Sequence, residues 1–266
     1  FIRSSFIGNK FAFVIFDEVH HLAAPGYRTI AEQFISPYRL GLTATYERED
    51  NLHLDFPRLV GGIVYQSSVN ELTKEKHIAS FIVEKRYVKL LPEEEIEYHK
   101  NYDQYLSYLQ ELGIRYGRNG FQRLIMISGK NLYARNALLA RNKALDIALN
   151  SQSKIEELRK ILIENPNMRT IIFTQHNKLV YLISNEFLIP FITHKSSKQE
   201  REDALNGFRD GRYRVLVTSK VLDEGVDVPE AELGIIVSGT GSKREFIQRL
   251  GRLLRTKPNN RNAKLI

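Results

Sequence analysis

Two clusters of residues have the types and spacing for phosphoryl transfer. The first is Asp17-Glu18-Val19-His20, an acidic pair that closes a short apolar run. Transfer of a phosphoryl group to water needs one carboxylate to hold Mg2+ and a second group to orient or deprotonate the attacking water. Adjacent acids on a turn point in different directions and can divide those roles. The same residues also suit a helix start, where acids complement the positive end of the dipole. The second cluster is Gln248-Arg249-Leu250-Gly251-Arg252-Leu253-Leu254-Arg255. At helical spacing Gln248, Arg252 and Arg255 share a face, so an amide and two guanidiniums project together. A planar fork donor matches the charge on a transferring phosphoryl group. A solvated basic face above buried Leu250, Leu253 and Leu254 has the same pattern. Between the clusters, in Val215–Pro229, Gly225 suits close backbone approach to a ligand, and Asp227 is an acceptor for a hydroxyl or an arginine. By itself that stretch also reads as an acidic structural loop.

Such groups need a support that fixes them. Phe11-Ala12-Phe13-Val14-Ile15-Phe16 is too short for a helix and is bounded by charge, which predicts a strand buried on both faces, as in a parallel sheet. A second short strand, Arg39–Leu42, runs into Thr43-Ala44-Thr45. From about residue 151 the rhythm is regular. An amphipathic helix over Lys154–Glu164 precedes strands at Thr170–Phe173, Phe191–His194, Arg214–Val217 and Gly234–Val237. Helices fall between them, one over Gln199–Arg209, and a last one begins near Lys243. This alternation predicts an α/β, doubly wound parallel sheet, in which ligands bind beyond the carboxyl ends of the strands. Asp17-Glu18, Thr43-Ala44-Thr45, Thr218-Ser219 and Ser238-Gly239-Thr240 all fall at such ends.

Residues from about 92 to 150 break the rhythm and read as a helical insert. Pro92 followed by Glu93, Glu94 and Glu95 is a helix start. Tyr98, Tyr102, Tyr105, Leu109 and Leu112 then make one stripe, which Gly113, Gly117 and Gly120 are expected to break. Between Gly113 and Asn150 the seven basic residues Arg115, Arg118, Arg123, Lys130, Arg135, Arg141 and Lys143 face one acid, Asp146, a net +6 within a chain of +8. Such a cluster suits phosphate contacts. Tyr116, Phe121 and Tyr133 add rings that could stack on unpaired bases, at ~1–3 kcal/mol each. A solvated charged face, or a docking surface for an acidic protein, carries the same composition.

Composition narrows the classes. A hydrophobic fraction of 42% with 26% charged residues is globular, and 266 residues make one large or two modest domains. The absence of cysteine excludes disulfides, thiolate zinc sites, iron–sulfur clusters and a cysteine nucleophile. An excess of 39 Lys+Arg over 31 Asp+Glu favours a polyanionic partner. No apolar stretch approaches the ~18 residues of a membrane span, and Phe1–Ser5 has no signal-peptide core, so a cytoplasmic protein without a membrane partner is expected.

Together the motifs resemble those of superfamily 2 nucleic-acid helicases. Asp17–His20 is similar to motif II, Thr43–Thr45 to motif III, Ile171–His176 to motif IV, Val215–Pro229 to motif V and Gln248–Arg255 to motif VI, in the family's order. Arg48-Glu49-Asp50, the continuation His20-His21-Leu22 and a thumb-like insert in the second lobe make the finer resemblance to the XPB family of DNA-repair helicases in its short archaeal form. That resemblance implies two RecA-like lobes, the first incomplete: residues 1–72 as the end of the first, and 73–266 as the second, with the insert at about 92–150. It implies ATP and Mg2+, with Asp17 holding the ion, Glu18 activating water, and Gln248, Arg252 and Arg255 facing the phosphates. Gly225 and Asp227 would lie at the nucleotide, and His20, Thr43, Thr45 and Arg249 would couple the motifs. DNA contacts are expected at Arg48, Glu49, Asp50, Thr218 and Ser219, joined by Arg115, Arg118 and Arg123 of the basic insert. The implied activity is ATP-driven 3′→5′ movement on DNA at single-strand/duplex junctions, in nucleotide excision repair, in a prokaryotic nucleoid. A repair nuclease docking on the insert or second lobe is the implied partner.

One departure stands out. The chain holds no G-x-x-x-x-G-K-[ST]; Gly129-Lys130-Asn131 is the nearest string, with Leu124 in the leading position. Only sixteen residues precede Asp17, so a fragment without the phosphate loop, inactive toward ATP by itself, is expected. Another superfamily 2 translocase, an RNA helicase, and a non-catalytic platform that binds DNA or docks a nuclease are the competing readings.

Overall fold

The computed structural model describes residues 10–43, 46–48, 50–67, 71, 81–219, 231–238 and 263–266. The chain divides into two compact units, residues 1–80 with 241–260, and residues 81–240 with 261–266.

In the first unit β1 (Phe13–Phe16) pairs in parallel with β2 (Tyr38–Gly41), Phe13 opposite Tyr38 and Phe16 opposite Gly41. The crossover carries α1 (Pro25–Gln33), and a short helix, α2 (Phe56–Leu59), follows β2. Val19, Leu22, Ala31 and Leu59 form the core, with Phe16 and Val60 at its margin. Arg39 ties the pieces together. Its Nη1 donates to the carbonyls of Ala31 (3.1 Å) and Leu59 (2.8 Å), its Nη2 to that of Phe34 and its Nε to that of Ser36 (3.3 Å). A single guanidinium thus caps carbonyls that helix ends leave unpaired. The expected burial of β1 on both faces does not hold. Phe13 is 51% exposed and Ile15 54% exposed. Among the described residues β1 has one strand neighbour and core on one face only, so alternate side chains stand in solvent.

The second unit is a wholly parallel sheet. Its strands are β3 (Phe81–Val83), β4 (Thr170–Phe173), β5 (Phe191–Ile192), β6 (Val215–Thr218), β7 (Leu233–Ile236) and β8 (Ala263–Leu265), in the spatial order β3-β8-β7-β4-β6-β5. The helices of this unit are α3 (Pro92–Glu111), α4 (Arg118–Ser128), α5 (Leu132–Leu149), α6 (Gln152–Glu164), α7 (Asn177–Phe187) and α8 (Lys198–Arg209). Central β4 is buried at all four positions, as a strand covered on both faces must be. Ile155, Leu158 and Ile161 of α6 and Leu179, Val180 and Ile183 of α7 pack on Ile172, Val217 and Ile235. Leu205 and Phe208 bury the apolar side of α8, which lies against β5 and β6. The helix expected from near Lys243 lies outside the described residues.

The insert, α3 to α5, has a core of its own. Tyr105 and Leu109 of α3 and Leu124 of α4 meet Ala134, Ala137 and Ala140, whose three-residue spacing gives α5 a flat face for close packing along α3. Asn131 caps α5 by accepting the Ala134 N–H at 3.0 Å. The nearest string to a phosphate loop, Gly129-Lys130-Asn131, is therefore the turn into this helix. Gly113 (φ 59°) and Gly117 (φ 131°) end the helical run after α3 as expected, but Gly120 lies inside α4, where a Cβ would sit 1.9 Å from the Arg115 carbonyl oxygen. That glycine serves close packing. The carboxylate of Glu94 clasps the two ends of the insert, accepting the Leu91 N–H at 3.1 Å and the Gln152 N–H at 2.7 Å.

Candidate active site

The acid pair sits where β1 ends, and β2 holds it there. The Leu42 N–H donates to the Phe16 carbonyl, and the Val19 N–H donates to the Leu42 carbonyl, both at 2.9 Å. Gly41 makes this stitching possible, because a Cβ there would lie 2.8 Å from Val19 Cγ2. Asp17 accepts the Glu18 N–H on Oδ1 at 2.9 Å. Glu18 itself takes left-handed backbone angles, φ 49° and ψ 49°, which cost a side chain with a Cβ about 1–2 kcal/mol. Val19–His21 then forms one 3-10 turn.

His20 joins the acids to the end of β2. Its ring is buried, with Nδ1 2.9 Å from Thr43 Oγ1 and 3.2 Å from Glu18 Oε2. One nitrogen carries at most one hydrogen. With Nδ1 protonated it donates to the threonine oxygen, and with Nδ1 bare the threonine hydroxyl donates to it. The hydrogen bond is to Thr43; Glu18 Oε2 stands within ion-pair distance of the same nitrogen without accepting a hydrogen bond, so the ring brings the acid and the threonine to one place.

Arg48 closes the turn from the other side. Its guanidinium forks onto Asp50, Nε to Oδ1 at 2.9 Å and Nη2 to Oδ2 at 2.6 Å, while Nη1 donates to the His20 carbonyl. This fork, helped by the Leu52 N–H, holds the Asp50 carboxyl well below the usual carboxylate range, and Asp50 in turn raises Arg48. Thr45, Glu49, Gly225, Asp227, Gln248, Arg249, Arg252 and Arg255 lie outside the described residues, as does the side chain of Arg118.

At the carboxyl edge of the larger sheet the strands end in buried hydroxyls. Thr218 is fully buried and donates to the Ser219 carbonyl at 2.8 Å, so its hydroxyl serves the strand end; Ser219 is buried as well. Ser238 Oγ accepts the Gln175 N–H at 3.2 Å, joining the ends of β7 and β4. Asn177, which opens α7, bonds His194 beyond β5 at 2.9 Å. Neither that pair nor the Arg48 latch is visible from local sequence, since each joins residues from separate elements. In the insert Arg115 and Arg123 are exposed, and Arg141 stacks 4.1 Å above the Phe121 ring. Lys143 pairs with Glu97 at 2.6 Å. Tyr116 is 70% and Tyr133 58% exposed.

Residues 2–48 match the family model of the type III restriction enzyme res subunit, and residues 153–257 that of the helicase conserved C-terminal domain. The DNA 3'-5' translocase XPB2 of Sulfurisphaera tokodaii is 50% identical over 97% of the chain. The chain belongs to the XPB family of superfamily 2. A further XPB-family relative, the DNA 3'-5' helicase XPB of Mycobacterium tuberculosis, is 30% identical over 97% of the chain. The chain spans 58% of the length of the first relative and 40% of the second. The helicase domain of Pyrococcus furiosus Hef superposes with a TM-score of 0.55 over 97% of the chain and 72% of its own length, at 19% identity, which shows that this XPB-family chain shares its α/β fold.

The donor set suits a hydrated Mg2+. Asp17 is an exposed carboxylate with one oxygen engaged by a backbone N–H, and Mg2+ in nucleotide sites takes one or two protein carboxylates, keeping water and phosphate for its other positions.

Proposed function

We propose that the chain works within an ATP-driven motor that moves 3′→5′ along DNA, the activity named for its relatives, in DNA repair. The observation that supports this reading is the buried His20 ring, whose Nδ1 is hydrogen-bonded to Thr43 Oγ1 and lies within ion-pair distance of Glu18 Oε2. In this reading Asp17 holds Mg2+, which when bound neutralises the nucleotide phosphates. Glu18 orients and deprotonates the attacking water, and His20 passes its state to Thr43 and Thr45. Gln248, Arg252 and Arg255 supply fork donors to the phosphates, Gly225 and Asp227 lie at the nucleotide, and Arg249 joins the coupling. Residues 1–72 belong to one RecA-like lobe and the second compact unit, residues 81–240 with 261–266, to a second that holds the insert at 92–150. The sequence boundary of 73–266 for that lobe differs from the compact units at residues 73–80 and 241–260. Arg115, Arg118 and Arg123 hold the DNA backbone, with Glu49 and the Thr218–Ser219 strand end beside the track. A nuclease partner would meet the insert, whose Met126 and Leu132 are 82% and 67% exposed.

The test supplies the segment that carries the phosphate loop and follows displacement of a triplex-forming strand from either end of a DNA track. ATP- and Mg2+-dependent displacement by 3′→5′ tracking is expected. Hydrolysis stimulated by RNA alone would assign the chain to an RNA motor, and DNA binding without stimulated hydrolysis would leave only a platform.

A further inference from the structure

We infer that Arg48 is a positioning residue for the acid turn and not a contact to DNA; the inference rests on the hydrolytic reading of Glu18. The triplet Arg48-Glu49-Asp50 looks like a surface charge cluster, and the family resemblance implies a DNA contact there. The geometry assigns its arginine elsewhere. All three guanidinium nitrogens of Arg48 are engaged within the chain, two on Asp50 and one on the His20 carbonyl, and the side chain is only 20% exposed. Its backbone is fixed too, the Arg48 N–H donating to His53 Nδ1 at 3.1 Å, and Asp50 Oδ1 is anchored by the Leu52 N–H at 3.2 Å. A DNA phosphate would have to displace a bidentate carboxylate pair, the stronger and better oriented partner.

What Arg48 holds is the turn that follows a residue in left-handed backbone angles. Glu18 stands between two anchors. On one side the Val19 N–H is fastened to the Leu42 carbonyl, and on the other the His20 carbonyl is fastened to Arg48. Strained angles persist only while such neighbours over-determine them. Without Arg48 the turn can relax, and the Glu18 carboxylate leaves the place from which it addresses water. A guanidinium is required, because an ammonium is a point charge that cannot fork onto Asp50 while reaching a carbonyl.

The test separates DNA affinity from turnover. Arg48→Ala, Arg48→Lys and Asp50→Ala are compared by fluorescence anisotropy on single-stranded DNA, and by hydrolysis at saturating DNA with the phosphate-loop segment supplied. Unchanged DNA affinity and salt slope are expected in all three variants. The kcat should fall about tenfold or more, with the KM for ATP within about twofold and no rescue by lysine. A weaker DNA affinity in Arg48→Ala, restored by Arg48→Lys with kcat intact, would overturn the inference in favour of a phosphate contact. A lower melting temperature with kcat, KM and DNA affinity all unchanged would overturn it in favour of simple stabilisation. If the unsubstituted protein hydrolyses no ATP, the proposed function fails by itself. The ring nitrogen resonances of His20 then decide the positioning claim: they shift in Arg48→Ala if the latch holds the turn and stay fixed if it does not.

Discussion

His20 Nδ1 lies 2.9 Å from Thr43 Oγ1, across 23 positions of sequence, in a part-buried site at the ends of two parallel strands. The same nitrogen is 3.2 Å from Glu18 Oε2. The ring thus sets the acid turn against the neighbouring strand end, where the proposed function needs the two coupled.

Removing the threonine hydroxyl without changing side-chain volume should therefore uncouple hydrolysis from DNA. Thr43→Val is expected to keep basal ATP turnover and lose about tenfold of its stimulation by DNA, the scale of one buried hydrogen bond at ~1–2 kcal/mol. The check is the ratio of turnover with and without saturating DNA, in protein supplied with the phosphate loop. Full stimulation in Thr43→Val would make the contact incidental.

The stitching beneath that contact depends on Gly41. Gly41→Ala places a Cβ 2.8 Å from Val19 Cγ2, and overpacking of this kind costs about 1–3 kcal/mol. Val19→Ala should recover much of the loss by removing the obstructing methyls. Urea unfolding of the two single variants and the double variant measures the coupling, and additive losses would show that the two side chains do not meet.

Much of this was legible in sequence because it is local. The apolar runs ending in polar residues marked the strands and their carboxyl ends, and the shift to three-and-four spacing after Pro92 marked the insert. What was hidden depends on pairs far apart in the chain. The exposure of Phe13 and Ile15 follows from which neighbours β1 has, which its own composition does not contain. Gly41 differs from any strand glycine only through Val19, and Gly120 only through the carbonyl of Arg115. Glu94 reads as a dipole acid, yet its second oxygen binds the start of α6. The Arg48 latch is hidden in the sequence because its carbonyl partner lies 28 positions earlier.

A second long-range cluster sets an acid-stability prediction. Arg86 reaches Glu84 at 2.6 Å, Glu157 at 2.9 Å and Glu164 at 2.5 Å, while Lys264 meets Glu84 at 2.7 Å, joining β3, β8 and α6. Arg86 holds the carboxyls of Glu157 and Glu164 below the ordinary glutamate value of 4.5, and Lys264 with Arg86 does the same for Glu84. A depressed folded-state pKa gives stability that is present above the unfolded value and lost as pH falls through the folded one. Arg86→Ala should lower stability at neutral pH and flatten its decline below about pH 4.5. Parallel stability curves for the variant and the unsubstituted protein down to pH 3 would show that the cluster is a solvated ornament.

The basic insert makes an ionic-strength prediction. Alanine at Arg115, Arg118 and Arg123 should weaken DNA binding and flatten the slope of log K against log salt by about 0.7–0.9 per lost contact, with folding unchanged. An unchanged slope would move the DNA contact to another surface and leave the insert for protein.

The most direct test of the hydrolytic reading is Glu18→Gln in protein supplied with the phosphate loop. Glutamine keeps the shape of the side chain and its neighbours but is no base, so the loss must fall on turnover. Nucleotide affinity, followed with a fluorescent ATP analogue, should stay within about threefold, while kcat falls by about 10²–10⁴. Turnover near that of the unsubstituted protein would take Glu18 out of the chemistry and contradict the account.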